Sequence, residues 1–413
     1  MTIPIAQVLE ESGLPNRASA MEDADRAWSR AKVATMTLVV ASSTFNAITA
    51  DAMVSAMPQM TREFGSGVNA AFMAQMILVT PSLSIIVAAP LAGLLVHRFG
   101  FKTLMIASLL LYALTGGFGF VAPGSVSLIA SRVVLGFASG LLSALALSRA
   151  ADFDPRSGAR LLGFANAMAA TTAIASFVLG GWLAREFGWR TASLTYLWTL
   201  VLVPVVLMSS SMGERKVPLD GAAPAVRFPW LATLPTYLLV LGIFMVVYGS
   251  SIEGPFVLSR LGMSDPAQVG VAISASAFLC AVTAFGYGWI ARLLDDRLQF
   301  VLVFLAFAAS TVITSLAASS AVAIVGLSIT GVGSGILSPL LVSRLIRKVP
   351  PAHVATATGL FASATFVSVF LTPVAYKLIV DVGGVQVYTG LAVFMGIALL
   401  ATISMVMTGR LAR

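Results

Sequence analysis

Three charged side chains fall inside the long apolar stretches of this 413-residue chain: Asp51, Arg132 and Glu253. A charge near the centre of a bilayer costs roughly 2.5–3.5 kcal/mol on insertion scales, so each of them needs a partner or a function. A carboxylate in such a place can take up and release a proton, and a guanidinium can bind an anionic group. These residue types indicate proton coupling by Asp51 and Glu253 and substrate binding by Arg132.

Glu253 has a second interpretation. It lies near the end of its apolar run and precedes Gly254 and Pro255, and proline breaks a helix. An exposed glutamate at a helix end is the expected state there, and a buried proton carrier is the alternative. Asp51 and Arg132 fall at similar depth in their runs, which favours an interaction between them.

Uncharged polar residues within the runs are further candidates for substrate binding. Tyr248 stands seven residues before Pro255, just as Asp51 stands seven before Pro58. Tyr248 therefore occupies the position equivalent to Asp51 in the internal repeat described below. The remaining candidates are amides, for which an interhelical hydrogen bond is the alternative role: Asn46, Gln75 and Asn166.

The elements that carry these residues are apolar runs long enough to cross a bilayer, which takes about 20 residues. The chain is 58% hydrophobic and 10% charged, with a mean hydropathy of +0.95, whereas a soluble domain is roughly 25% charged. The runs are continuously apolar, which predicts helices rather than barrel strands. Twelve are predicted, at 33–57, 70–95, 102–122, 126–147, 159–184, 192–210, 232–257, 269–291, 299–318, 321–343, 354–378 and 385–407.

The basic residues predict the orientation of these helices. With a cytoplasmic amino terminus, 19 of the 25 Lys and Arg residues lie on the cytoplasmic side, as the positive-inside rule requires. The outward loops then hold Arg62, Arg185, Arg190, Arg260 and Lys377. We expect a multi-pass protein of the cell membrane, the inner membrane if bacterial, with both termini cytoplasmic. The net charge of +8 fits a basic face beside anionic lipid and needs no nucleic acid.

A sequence repeat divides the chain into two similar halves. Residues 136–149, "GFASGLLSALALSR", and 331–344, "GVGSGILSPLLVSR", align without a gap at an offset of 195, with eight identities. Gly93 and Gly288 share that offset. Six helices per copy leave both copies pointing the same way, which predicts a parallel repeat. The paired glycines, four residues apart, favour close helix packing.

The predicted fold is an all-α membrane protein with twelve transmembrane helices in two parallel-repeat six-helix bundles. The expected organisation is a cytoplasmic tail (1–31), a first bundle (32–210), a linker (211–230), a second bundle (231–408) and a short tail (409–413). The first thirty residues are polar and contain no signal peptide, so a mobile tail is expected.

Across all twelve runs the chain resembles the major facilitator superfamily. Residues 93–106, "GLLVHRFGFKTLMI", match its loop pattern at Gly93, Leu95, Arg98, Gly100 and Lys102, with His97 in place of the usual Asp. The resemblance implies that this loop acts as a conformational latch. Arg132 with Gly136 is similar to the family's intramembrane arginine motif. "SFVLGG" at 176–181 keeps only Gly180 and Gly181 of the antiporter signature.

The resemblance implies a secondary transporter that rocks two bundles around a central site. Proton-coupled export of small amphipathic drugs or metabolites is the first hypothesis. Proton-linked uptake or exchange of an organic anion bound by Arg132 is the alternative, and a non-transporting receptor or scaffold is the third. In each transporter hypothesis Asp51 and Arg132 face each other across the cavity, either as a permanent pair or as a switch.

Enzymatic function has no support in the sequence. The chain has no phosphate-binding Gly-x-x-x-x-Gly-Lys-[Ser/Thr] loop, two histidines and a single cysteine. We expect no cofactor and no metal. The expected partners are a small-molecule substrate, protons and the lipid bilayer, and the expected state is a monomer.

Overall fold

A computed structural model of the chain describes residues 17–65, 68–149, 153, 155–209, 228–384, 386–392 and 395. All the regular elements in these residues are helices. Eleven helices among them are long and apolar enough to cross a membrane. Most of the predicted linker and most of the twelfth run lie outside the described residues.

The first half contains α1 (Arg17–Asp51), α2 (Met57–Phe64), α3 (Val68–Phe99), α4 (Phe101–Gly117), α5 (Ser125–Ser148), α6 (Pro155–Phe187) and α7 (Leu202–Met208). A 3₁₀ turn at Val54–Ala56 joins α1 to α2, and a 3₁₀ helix at Trp189–Val201 precedes α7. Helix α1 begins at Arg17, so residues 17–31 of the segment predicted as a cytoplasmic tail are helical.

The second half contains α8 (Trp230–Ile252), α9 (Gly254–Arg260), α10 (Pro266–Leu293), α11 (Asp296–Ser315), α12 (Ser320–Lys348) and α13 (Val354–Gly383). In each half the first membrane-crossing helix is interrupted just before a proline, Pro58 at the start of α2 and Pro255 at the start of α9. Proline suits the first turn of a new helix because the missing N–H has no partner there.

The glycines of the repeat pack helices together at equivalent places in the two halves. A Cβ added to Gly136 would lie 2.2 Å from the carbonyl oxygen of Pro81, and one added to Gly331 would lie 2.0 Å from that of Ser276. Pro81 and Ser276 are themselves 195 residues apart. The predicted role of these glycines in close packing is confirmed, for α5 on α3 and for α12 on α10.

The two halves meet at one end of the molecule, the joined end, formed by residues 57–65, 68–75, 177–189, 253–270, 372–384 and 386–388. Here Gly181 packs on Pro266, Gly270 packs on the Phe177 carbonyl, and Arg185 Nη1 lies 3.5 Å from Asp265 Oδ2.

The opposite end, the open end, is formed by residues 93–102, 155–165, 285–297 and 344–359. Two hydrogen bonds, Gln75 to Glu253 and Lys377 to Asn69, and the ion pair of Arg185 with Asp265 join the halves at the joined end. At the open end Leu94, Phe164 and Phe285 are 68%, 66% and 88% exposed. The contacts found between the halves lie at the joined end, and we interpret the structure as closed there and parted at the open end.

Candidate functional site

Asp51 lies at the point where the first membrane-crossing helix breaks. Helix α1 ends at Asp51, and the chain turns through Ala52 and Met53 into the 3₁₀ turn. The Ser55 hydroxyl donates to the carbonyl of Phe177 at 2.8 Å, which fixes the turn against α6. Asp51 is half-buried and has no hydrogen bond or ion pair with any residue that the structure describes. Broken helices with an ionisable residue at the break are typical of ion and substrate sites in transporters.

Arg132, on α5, is 2% exposed and has no carboxylate partner within the described residues. Its Nη2 lies 3.2 Å from the sulfur of Met53, and its guanidinium carbon lies 5.0 Å from the ring centre of Tyr196. The Nε and Nη1 atoms have no hydrogen-bond partner among these residues. Gly119 makes room for the group, since a Cβ there would lie 2.6 Å from Nη2. Arg132 is thus held by a sulfur and an aromatic face.

Asp51 and Arg132 do not form the direct pair that the sequence led us to expect. Tyr196, a buried residue of the 3₁₀ helix at Trp189–Val201, lies close enough to feel the charges of both. The sequence reasoning missed Tyr196, since nothing in the pattern around it distinguishes it from a packed aromatic residue.

Residues of both halves surround this group. Tyr248, on α8, lies within electrostatic reach of Asp51 and of Cys280 on α10, and its role in substrate binding stays a prediction. Asn46 accepts a hydrogen bond from the Ser139 hydroxyl at 2.9 Å, which ties α1 to α5. Asn166 is exposed on the half of α6 that leads to the open end. Asn46 therefore has the interhelical role that was its alternative.

Glu253 and Gln75 form a bond between the two halves at the joined end. Gln75 Nε2, on α3, donates to Glu253 Oε2 at 2.7 Å, while Arg260 Nη2 donates to Glu253 Oε1 at 2.9 Å. Gln75 is 5% exposed and Glu253 is 8% exposed. The expectation of an exposed helix-end glutamate is therefore wrong, because α3 of the other half covers it.

The residues predicted as a latch lie at the open end. Gly100 has φ +76°, a conformation that glycine adopts without strain, and it begins α4. His97 and Arg98 are exposed, and Lys102 Nζ donates to the carbonyl of Leu207 at 3.4 Å within the same half. Gly93 has open space around it. In this conformation no hydrogen bond or ion pair is seen between these residues and a described residue of the second half.

A family model describes most of the chain. The model for the Major Facilitator Superfamily matches residues 39–373. The chain belongs to this superfamily. It therefore has the superfamily's all-helical membrane fold, as the sequence predicts.

Several relatives in the superfamily carry names that refer to drug export. The chain is 28% identical over 207 residues to a Multidrug resistance protein B homolog of Mycobacterium tuberculosis, which covers 50% of this chain and only 36% of the relative. It is 25% identical over 320 residues to the multi-drug resistance efflux pump PmrA of Streptococcus pneumoniae, which covers 73% of this chain and 78% of the pump.

Solved structures share the fold at low identity. A D-xylose-proton symporter matches 91% of this chain and 97% of its own, with a TM-score of 0.68 and 13% identity. The match to a peptide transporter in complex with sulfate covers 90% of this chain and 94% of the transporter chain, with a TM-score of 0.69 and 12% identity. At these identities the comparison establishes the fold.

Proposed function

We propose that this chain is a proton-coupled exporter of small amphipathic drugs or metabolites and that it works as a monomer by alternating access. The observation that carries the proposal is the pair of bundles, joined at one end and parted at the other around Asp51. The names of the relatives, multidrug resistance protein and efflux pump, support export over uptake.

The orientation follows from the distribution of charge. The loops of the open end are rich in Lys and Arg, and by the positive-inside rule that end faces the cytoplasm. The conformation is then one that admits substrate from the cytoplasm and closes the outer side, which is the loading state of an exporter. Both termini lie in the cytoplasm in this arrangement.

Asp51 is the residue through which protons act in this proposal. Its carboxylate has no partner among the described residues, and an unpaired charge at such depth costs roughly 2.5–3.5 kcal/mol. A proton removes that cost in this conformation, and a different neighbourhood in the other conformation can favour its release. A site whose affinity differs between two states is what coupling requires. Glu253, which binds Gln75 only while the outer side is closed, is the second candidate.

The test is transport by purified protein in proteoliposomes. Ethidium, an amphipathic cation, is the probe, and an imposed pH gradient is the driving force. Asp51→Asn should abolish the effect of the pH gradient on ethidium movement and leave ethidium exchange without a gradient measurable. Glu186→Gln is the matched control, because Glu186 is 45% exposed at the joined end and, among the described residues, is seen to pair with the neighbouring Arg185.

Gradient-driven ethidium transport that is equal in Asp51→Asn and the wild type would overturn the assignment of Asp51. An absence of transport of ethidium and of other amphipathic compounds by the wild type would overturn the proposed substrate class.

Uptake of an organic anion through Arg132 has less support. The guanidinium is 2% exposed and faces Met53, Tyr196 and Gly119 rather than an open cavity. A substrate carboxylate would have to displace these neighbours to reach it. We therefore assign Arg132 the role of positioning Tyr196 near Asp51.

A further inference from the structure

A cavity of about 700 Å³ opens between the two bundles at the joined end. It lies apart from Asp51 and Arg132, neither of which lines it. Arg62 and Phe72 contribute from the first bundle, and Arg260 and Lys377 contribute from the second. Its volume falls within the range of about 300–1,000 Å³ that is typical of small-molecule sites. Gln75 and Glu253 also line it, so it includes the bond between the bundles.

The charge of the cavity is positive. Arg260 is bound on one side by Glu253, but its side chain remains 54% exposed. Lys377 Nζ lies 2.8 Å from Asp381 Oδ2 and 3.4 Å from Asn69 Oδ1. Arg62 is exposed and has no hydrogen bond or ion pair with any described residue. Three cations therefore face two carboxylates, and the uncompensated charge is that of Arg62.

Apolar surface completes the cavity. Phe72 and Phe256 lie on opposite bundles, and Tyr376 and Val380 of α13 form part of the same wall. A combination of an aromatic wall and a few placed charges recognises a ligand that is apolar at one end and charged at the other. The unpaired guanidinium selects a carboxylate, sulfonate or phosphate as the charged end.

We propose that this cavity binds an amphipathic organic anion, which contacts both bundles and thereby stabilises the conformation closed at the joined end. The charged end lies between Arg62 and Arg260, and the apolar part lies against Phe72 and Phe256. Separation of the bundles at this end divides the two halves of the site. The ligand therefore has a higher affinity for the closed conformation and shifts the protein toward it.

The binding site does not depend on the transport proposed above, whereas its effect on conformation does. The binding assay is equilibrium dialysis of naphthalene-2-sulfonate against the full chain in phosphatidylcholine nanodiscs. The neutral naphthalene-2-sulfonamide measures the contribution of the negative charge. Arg62→Gln tests the site, and Arg292→Gln is the matched control, because Arg292 is an exposed arginine at the open end.

We expect Arg62→Gln to weaken sulfonate binding about tenfold, the effect of losing one charge-assisted hydrogen bond at a partly exposed site. Sulfonamide binding should be unchanged by the substitution, and Arg292→Gln should bind the sulfonate as the wild type does. Equal sulfonate binding by Arg62→Gln and the wild type, or equal binding of sulfonate and sulfonamide, would overturn the proposal.

A second experiment, with phosphatidylglycerol in the nanodiscs, distinguishes a lipid headgroup from a free anion as the occupant of the site. A loss of sulfonate affinity that is larger in the wild type than in Arg62→Gln identifies a lipid headgroup as the competing occupant. Equal losses in the two proteins identify a free anion.

The conformational effect is read from the distance between spin labels at Phe99 and Leu293, on opposite bundles at the open end, in a Cys280→Ser background. Sulfonate should increase the population with the longer distance. If binding depends on Arg62 but the longer distance does not increase, the binding site is supported, and the proposed effect of the ligand on conformation is refuted.

Discussion

The bond between Gln75 and Glu253 should set the balance between the two conformations. It joins α3 of the first bundle to the residue between α8 and α9 of the second, and both side chains are almost completely buried. The bond can exist only while the joined end is closed. Gln75→Leu removes the donor, keeps an apolar side chain of similar size, and leaves Glu253 Oε2 without a partner.

The size of the effect follows from the kind of bond that is lost. A hydrogen bond to a charged group contributes about 1.5–3 kcal/mol. Because the bond stabilises one conformation only, its loss changes the ratio of the two conformations by roughly ten- to a hundred-and-fifty-fold. Arg260 still binds Glu253 Oε1, so the carboxylate keeps one partner and the protein should still fold.

The measurement is the distance distribution between spin labels at Phe99 and Leu293 with Cys280 replaced by Ser. Opening of the joined end brings the open end together, so Gln75→Leu should increase the population with the shorter distance. Gln299→Leu is the matched control. Gln299 is 1% exposed, and its Nε2 donates to the carbonyl of Leu294 at 2.8 Å within one bundle.

The control should lower thermal stability and leave the distance distribution unchanged, because its bond is present in both conformations. If Gln75→Leu and Gln299→Leu both leave the distribution as it is in the wild type, the bond between the bundles does not contribute to closure, and the reasoning is refuted.

Two glycines at close contacts give further predictions, each with Gly163→Ala as control, because a Cβ at Gly163 meets nothing within 4 Å. Gly119→Ala should displace Arg132, because Nη2 would lie 2.6 Å from the new Cβ. Gradient-driven transport should fall, and the protein should lose about 1–3 kcal/mol of stability. Transport and stability equal to those of the control would contradict this prediction. Gly181→Ala should hinder closure of the joined end, since its Cβ would lie 2.3 Å from the Pro266 carbonyl oxygen, and the spin-label distance at the open end should shorten; an unchanged distance would contradict it.

The architecture could be predicted because it depends on patterns that are local or repeated. Apolar runs of about 20 residues define membrane helices by length alone. The repeat at an offset of 195 predicted not only equivalent helices but equivalent contacts, since the partners of Gly136 and Gly331 share the same offset. Each of these glycines approaches a backbone carbonyl closely, so the equivalent position in both copies requires a residue without a side chain.

The permanent pair of Asp51 and Arg132 is absent because the break in α1, and not depth along a straight helix, places the carboxylate; a pairing that switches between conformations stays a prediction. Helix α1 ends at Asp51, and the following turn brings the sulfur of Met53 to the guanidinium. The helical period cannot be continued through such a break. Pro58 was the available signal, but a proline at the start of a helix does not fix where the preceding helix ends.

The bond between Gln75 and Glu253 joins residues 178 positions apart. Both residues are candidates in the sequence analysis, but the role of each was inferred from its own apolar run alone. The end at which the two bundles close differs between conformations. The sequences of the individual helices do not determine it. No pattern within a single helix could therefore predict that α3 would cover Glu253.

The contacts of the joined end differ in what their separation would cost. Arg185 and Lys377 make polar contacts across the bundles from side chains that are 57% and 29% exposed, and water can replace such contacts when the bundles part. Gln75 and Glu253 are only 5% and 8% exposed in this conformation, and an unsatisfied buried polar group costs about 1–3 kcal/mol, more when it is charged. Opening must therefore either hydrate the carboxylate or neutralise it with a proton. This difference makes Glu253, rather than the more exposed ion pairs around it, the contact at which proton binding and opening can be linked.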